Sequence, residues 1–139
     1  MTRLTRRYKF SASHRLHSES LSDEENAEIY GKCNNPFSHG HNYVLEVTVR
    51  GPVSADSGCV VNIGEMDAYI EREVTSQFDH KDMNSDIPDF IDLVPTTENL
   101  STVVEKRLRL NWTNSFATAF LDAVRVQETK RNLFELRDL

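Results

Sequence analysis

The stretch His39-Gly-His-Asn-Tyr-Val-Leu-Glu-Val-Thr-Val-Arg50 decides how the chain is read. Tyr43, Leu45, Val47 and Val49 recur at every second position, with Asn42, Val44, Glu46 and Thr48 between them, which is the period of a strand with one buried face. His39 and His41 fall in the same register as the apolar set, so their imidazoles project from one face about 7 Å apart along the strand. Gly40 adds no side chain between them.

Working outward, Tyr8, Phe10, Ala12, His14 and Leu16 alternate with Lys9, Ser11, Ser13 and Arg15. This predicts a second strand whose apolar face carries His14. Pairing of the two strands would bring three neutral nitrogen ligands together. Three histidines with an open position suit a catalytic zinc, whereas structural zinc ordinarily has four protein ligands with cysteine among them. Three of the five histidines on core-facing positions is the informative coincidence, because an unpaired buried imidazole is costly. His17, at odd spacing from His14, belongs to the loop that follows.

The remaining pattern predicts a short helix at about Asp23 to Tyr30 inside a long polar excursion, and a short extended piece from Cys59 to Ile63. Asn62 with Glu65 opens a helix whose apolar positions are Ile63, Met66, Ile70, Val74 and Phe78. Asp79 to Val94 reads as irregular. A second long helix follows Pro95, capped by Thr96 or Thr97, with Leu100, Val103, Val104 and Leu108 as its buried stripe. Alternation returns from Phe120 through Val124, Val126 and Glu128, and the turn Thr129 to Asn132 leads to a last strand through Leu133 and Leu136. The order predicts one α+β domain over 1–139, a four-stranded antiparallel sheet with two helices on one face. Exposed sheet edges favour self-association.

A chain of 139 residues has room for one core, and a net charge of −6 excludes broad binding of nucleic acid or anionic membrane. With no apolar run of about 20 residues, the expectation is a cytoplasmic protein. Cys33 and Cys59 sit in unlike contexts and are not expected to pair.

Four further residues carry chemistry. Cys33, six residues before His39, sits in a polar loop able to fold over the metal. Beside a cation its thiol would have a lowered pKa and act as a base, or it would close the zinc site as a fourth ligand. Asp79 and His80 could form a carboxylate-oriented acid or base, or a solvated charged loop. Glu128, an acid on an apolar face, either reaches solvent at the strand end or accepts two hydrogen bonds from a planar donor edge such as a pterin's.

These motifs, Phe10-Ser-Ala-Ser-His-Arg-Leu16, Gly31-Lys-Cys-Asn-Asn-Pro36, Ser38-His-Gly-His-Asn-Tyr43, Phe78-Asp-His-Lys-Asp-Met-Asn84, Pro95-Thr-Thr-Glu-Asn-Leu100 and Gln127-Glu-Thr129, together resemble the 6-pyruvoyl-tetrahydropterin synthases over nearly the whole chain. The resemblance implies the tunnelling fold, with subunits joining their sheets into β-barrels, and a homohexamer of two trimers with active sites at subunit interfaces. It implies one Zn2+ per subunit on His14, His39 and His41, Cys33 as proton acceptor, and Asp79 with His80 assisting from a neighbouring subunit. Glu128 would anchor the pterin and join the proton relay, and Thr96, Thr97 and Glu98 would line the pocket. The implied reaction eliminates triphosphate from 7,8-dihydroneopterin triphosphate, with Mg2+ as a companion of the triphosphate and Lys32, Arg15 and Lys81 as candidates to grip it. Phe37 and Ser38 stand where many relatives carry Asn-Gly, which implies altered loop packing. Rival readings are 6-carboxy-tetrahydropterin synthase, a non-catalytic pterin- or metal-binding module, and a structural zinc protein. Five residues between Cys33 and His39, rather than three, favour the pyruvoyl enzyme over the carboxy one.

Overall fold

The computed structural model describes residues 1–137. Strand β1 (Thr2–His14) is followed by α1 (Asp23–Tyr30), a 3-10 turn (Gly31–Asn34) and strand β2 (His39–Gly51). Helix α2 (Ile63–Ile70) runs through a π turn (Glu71–Thr75) into α3 (Ser76–Phe78), then strand β3 (Lys81–Asp82) and the short helix α4 (Met83–Asp86). A 3-10 turn (Pro88–Phe90), helix α5 (Thr97–Leu110), helix α6 (Trp112–Ser115) and strands β4 (Phe120–Thr129) and β5 (Asn132–Arg137) complete the described chain.

The sheet has five strands in the order β3-β1-β2-β4-β5. Its four long strands are antiparallel, as the alternation predicts. The fifth corrects the expectation of a four-stranded antiparallel sheet: β3 has two residues and lies parallel to β1 at Ala12 and Ser13. A two-residue strand has no period to read; Asp79 and His80 just before it hydrogen-bond both backbone groups of Ser11 and hold it beside β1. The stretch from Cys59 to Ile63 forms no strand; a turn closed by Ser54 N–H on the Cys59 carbonyl bends it, and Val61 enters the core with Val60 packed against it.

Phe10, Tyr43, Leu45, Val47, Val124 and Val126 from the sheet meet Met66, Ile70, Leu100, Val104 and Leu108 from the helices in one core. Caps fix the helix starts: Ser22 and Glu25 form a reciprocal capping box on α1, and the Asn62 and Thr96 side chains accept backbone N–H groups of α2 and α5. The opposite face of the sheet is polar. Arg7, Glu46, Arg125 and Glu135 occupy one cross-strand row of alternating charge, and Glu46 receives Arg7 at 2.6 Å and Arg125 at 3.1 Å.

At the free side of β1, Arg6 donates two hydrogen bonds to Asp67 of α2, at 3.2 and 2.6 Å, and Tyr8 Oη donates a third at 2.7 Å. The Arg6 hydrogen bond is the main reason that the Asp67 carboxyl lies below its ordinary range. A depressed carboxyl stabilises the fold above its unfolded pKa, and that contribution fades as pH falls through the folded value. Asp67→Asn is expected to cost about 1 kcal/mol at pH 7, the upper end for exposed pairs because the contact is bidentate. Urea unfolding should show the difference shrinking below about pH 4.

A candidate metal and acid–base site

The antiparallel register pairs His14 with His39 and Ala12 with His41, which puts all three imidazoles on the helix-covered face at one end of the sheet. Their ring centroids lie 4.7, 5.1 and 4.9 Å apart. One nitrogen from each lies within 4.8 Å of the others, a grouping able to hold a metal ion.

Hydrogen bonding decides which nitrogen of His14 is available. Its Nδ1 lies 2.8 Å from the Pro95 carbonyl, which can only accept, so the neutral ring carries its proton there and leaves Nε2 bare. His14 Nε2 in turn faces His39 Nε2 at 3.2 Å. Two nitrogens about 2.0–2.1 Å from one tetrahedral zinc stand roughly 3.4 Å apart, so this spacing suits a shared ion. Among the described residues His39 Nδ1 and His41 Nε2 are buried without a hydrogen-bond partner. Burial lowers the pKa of His14 and of His39, and the neighbouring imidazoles lower them further. Neutral, dehydrated and partly unpaired imidazoles are the form that binds a metal. The residues therefore fit zinc.

Glu128 closes the cluster from β4. Its Oε2 lies 3.9 Å from both His14 Nε2 and His41 Nε2 and accepts a 2.5 Å hydrogen bond from Thr97 Oγ1. Of the segment expected to line the pocket, Thr97 is thus joined to Glu128. Thr96 serves as the N-cap of α5, and Glu98 is exposed.

Cys33 sits on the 3-10 turn before β2, half-buried. Leu16 N–H donates to its carbonyl at 2.8 Å, and the Asn34 amide bridges the Leu16 carbonyl and His17 Nδ1 at 2.8 and 3.0 Å. Arg15 Nε reaches the Asn34 carbonyl, while Asn84 grips the Arg15 backbone through both its amide atoms. Asn34 and Asn84 escaped the sequence reading because an amide's backbone partners leave no spacing signal. The thiol lies close enough to Glu128 to feel its charge. Burial pushes its pKa up and Glu128 adds to the rise, so the protein's own groups act against the lowered value expected from sequence. Ser38, just before the first ligand, holds φ at 64°, a left-handed value rare outside glycine, and Phe37 beside it is 89% exposed.

Asp79 and His80 sit elsewhere, on the β1 edge. Asp79 Oδ1 accepts the Ser11 N–H at 2.8 Å, its Oδ2 lies 3.0 Å from His80 Nδ1, and the Ser11 hydrogen bond is the main cause of a lowered Asp79 pKa. Among the described residues no hydrogen bond joins this pair to Cys33 or the three histidines. His80, His41, Ser11 and Asn42 do line one open groove of about 510 Å³. Of the three cations considered for the triphosphate, Lys32 and Lys81 are exposed, and Arg15 is engaged on the Cys33 turn.

Comparison with known proteins gives a consistent result. The family model described as 6-pyruvoyl tetrahydropterin synthase matches residues 3–138. A Poecilia reticulata protein named 6-pyruvoyl tetrahydrobiopterin synthase is 44% identical over 134 residues, covering 96% of this chain and 88% of its own. A Dictyostelium discoideum protein of the same name is 45% identical over 136 residues, covering 96% and 94%. The structure of Caenorhabditis elegans 6-pyruvoyl tetrahydropterin synthase superposes with a TM-score of 0.88 at 35% identity, over 99% of this chain and 96% of that one.

Proposed function

Because the chain belongs to the 6-pyruvoyl tetrahydropterin synthase family, lyases of tetrahydrobiopterin biosynthesis, we propose that it converts 7,8-dihydroneopterin triphosphate to 6-pyruvoyl-tetrahydropterin with loss of triphosphate. The observation that carries this reading is the three-histidine cluster closed by the nearly buried carboxylate of Glu128, with the half-buried thiol of Cys33 near enough to Glu128 for that charge to raise its pKa.

His14, His39 and His41 would hold one Zn2+ per chain. When bound, zinc supplies Lewis acidity toward the substrate's side-chain oxygens and acidifies the adjacent C–H bonds. Cys33, fixed by the backbone of Leu16 and the amide of Asn34, removes a carbon-bound proton as thiolate. Glu128 accepts hydrogen bonds from the pterin's ring N–H and amino group, and the Thr97 hydroxyl already donated to its Oε2 holds that carboxylate in orientation. Asp79 orients His80 through Nδ1, leaving Nε2 to exchange a proton with the thiol or the substrate. Elimination followed by tautomerisation is redox-neutral overall, so the chemistry requires no nicotinamide or flavin. Mg2+ accompanies the triphosphate.

Since Asp79 and His80 stand apart from the histidine cluster of their own chain, we assign them to the site of a second copy. Among the described residues the outer edges of β5 and of β1 below Ala12 are unpaired, which supports that reading, with sheets joined into barrels in a homohexamer of two trimers. Among the described residues no helix is long and apolar enough to cross a membrane.

The test is product analysis with zinc-loaded protein and 7,8-dihydroneopterin triphosphate. Release of triphosphate with a pyruvoyl product is the expected result. Acetaldehyde with a carboxy product would transfer the chain to the 6-carboxy-tetrahydropterin synthases, and binding of substrate without turnover would make it a pterin-binding module.

A further inference from the structure

Cys33 lies on a long excursion, residues 15–38, that leaves the sheet at His14 and returns to it at His39. The core does not hold this stretch. None of its apolar side chains is buried, and its one buried residue, Asn26, donates its amide to the carbonyls of Ser18, Leu21 and Ser22 of the same stretch. Its hydrogen bonds are internal as well. Leu16 N–H to the Cys33 carbonyl, Asn34 amide to the Leu16 carbonyl and Arg15 Nε to the Asn34 carbonyl join the two arms of the excursion to each other. Among the described residues, every hydrogen bond that leaves 15–38 for the rest of the chain goes to one side chain, Asn84.

The geometry explains why an amide stands there. Strand β3 pairs Lys81 with Ala12 and Asp82 with Ser13, and the same register two residues on sets 84 opposite 15. The backbone has by then turned into α4, so it cannot continue the ladder. The Asn84 side chain does so in its place: Oδ1 accepts the Arg15 N–H at 2.7 Å and Nδ2 donates to the Arg15 carbonyl at 2.9 Å. A carboxamide offers the acceptor and the donor of a peptide group in one plane. Its mount is firm. Met83 beside it is fully buried, Asp82 accepts hydroxyls of Ser13 at 2.9 Å and Ser85 at 2.8 Å, and Asp82 N–H donates to Asp86 at 2.9 Å.

We infer that Asn84 is a positioning residue for the reaction, anchoring through Arg15 the excursion that sets Cys33 against the histidine cluster. The inference rests on the reading of Cys33 as the base. Without the clamp, the arms 15–17 and 32–34 stay joined to each other and move together on their covalent ends at His14 and His39.

The test compares zinc-loaded Asn84→Ala, Cys33→Ala and the double variant. Asn84 is exposed, so Asn84→Ala is expected to fold, with the Co2+ absorption spectrum of the three-histidine cluster unaltered. Its kcat should fall roughly 10- to 100-fold, the scale of a misplaced reacting group, with KM changed by less than about threefold. Iodoacetamide should alkylate Cys33 roughly tenfold faster as the excursion opens, while the exposed Cys59 reacts at its wild-type rate. In the double variant Asn84→Ala should cost nothing beyond Cys33→Ala, because a residue that acts through the thiol has nothing left to position. Wild-type kcat in Asn84→Ala would overturn the proposal. So would a fall in kcat with Cys33 alkylation unchanged, or a further loss in the double variant, since Asn84 would then act elsewhere. If Cys33→Ala keeps wild-type kcat, the reading of the thiol as base fails, and alkylation alone decides whether Asn84 anchors the excursion.

Discussion

Cys33→Ala is expected to keep its metal and to lose turnover by roughly two to four orders of magnitude, the range over which a positioned base contributes. The expectation follows from what holds Cys33. Its carbonyl takes the Leu16 N–H, and the Asn34 amide ties the next residue to Leu16 and His17, so the turn does not depend on the thiol for its shape. Removing Sγ from a half-buried position leaves little cavity and no unpaired partner. The three imidazoles are organised by the β1–β2 register and by Pro95, again without Cys33. Zinc content by metal analysis, measured with kcat in the same samples, separates the two roles. Metal lost with activity would make Cys33 a fourth ligand and the centre structural; metal retained with full activity would move the proton transfer to another group. Cys33→Ser adds a check on packing, because it keeps the volume and removes the acidic thiol. The elevated thiol pKa in the protein alone makes this comparison informative, since burial and Glu128 both disfavour the thiolate and the base has to be formed at the loaded site.

How much of this was legible depended on whether the signal was local. Alternation with period two located β1, β2, β4 and β5 and set His14, His39, His41 and Glu128 on the core face, because on a strand the face of a residue follows from its parity alone. Capping chemistry at Asn62 and Thr96 set the helix starts for the same reason. The strand β3, the pairing of Asp79 and His80 with Ser11, and the amide clamps of Asn34 and Asn84 were not legible, since each is a contact between segments that no spacing records. The π turn stands between the two cases. Its signal, buried residues four apart through Phe78, was in the sequence, yet it was read as an ordinary helical stripe because three intervals of four look regular until the accumulated rotation is counted. Gly40, read as adding no side chain between the ligands, is not demanded by the fold: a Cβ there would meet only the Ala12 carbonyl at 3.5 Å, an ordinary contact.

His39→Ala and His14→Ala should both abolish metal binding, and their difference tests how the centre is built. Each removes one of three nitrogens, so affinity should fall by more than the roughly 10–100-fold that loss of a supporting partner costs. His39 is partly exposed and its ring supports little of the core, so apo His39→Ala should melt close to the apo wild type. His14 is fully buried, and its Nδ1 satisfies the Pro95 carbonyl beneath α5. Truncation there leaves both a cavity and an unpaired carbonyl, a loss of about 2–4 kcal/mol. Thermal melts with and without chelator read the two effects separately. In the wild type, zinc binds the folded chain and ties the ends of β1 and β2, so chelation should lower Tm; in either variant it should do nothing. A His39→Ala protein that still holds zinc at wild-type affinity would mean that the metal is carried by another set of ligands. The 3.2 Å approach of His14 and His39 would then be a hydrogen bond between imidazoles, with the buried His39 Nδ1 left bare.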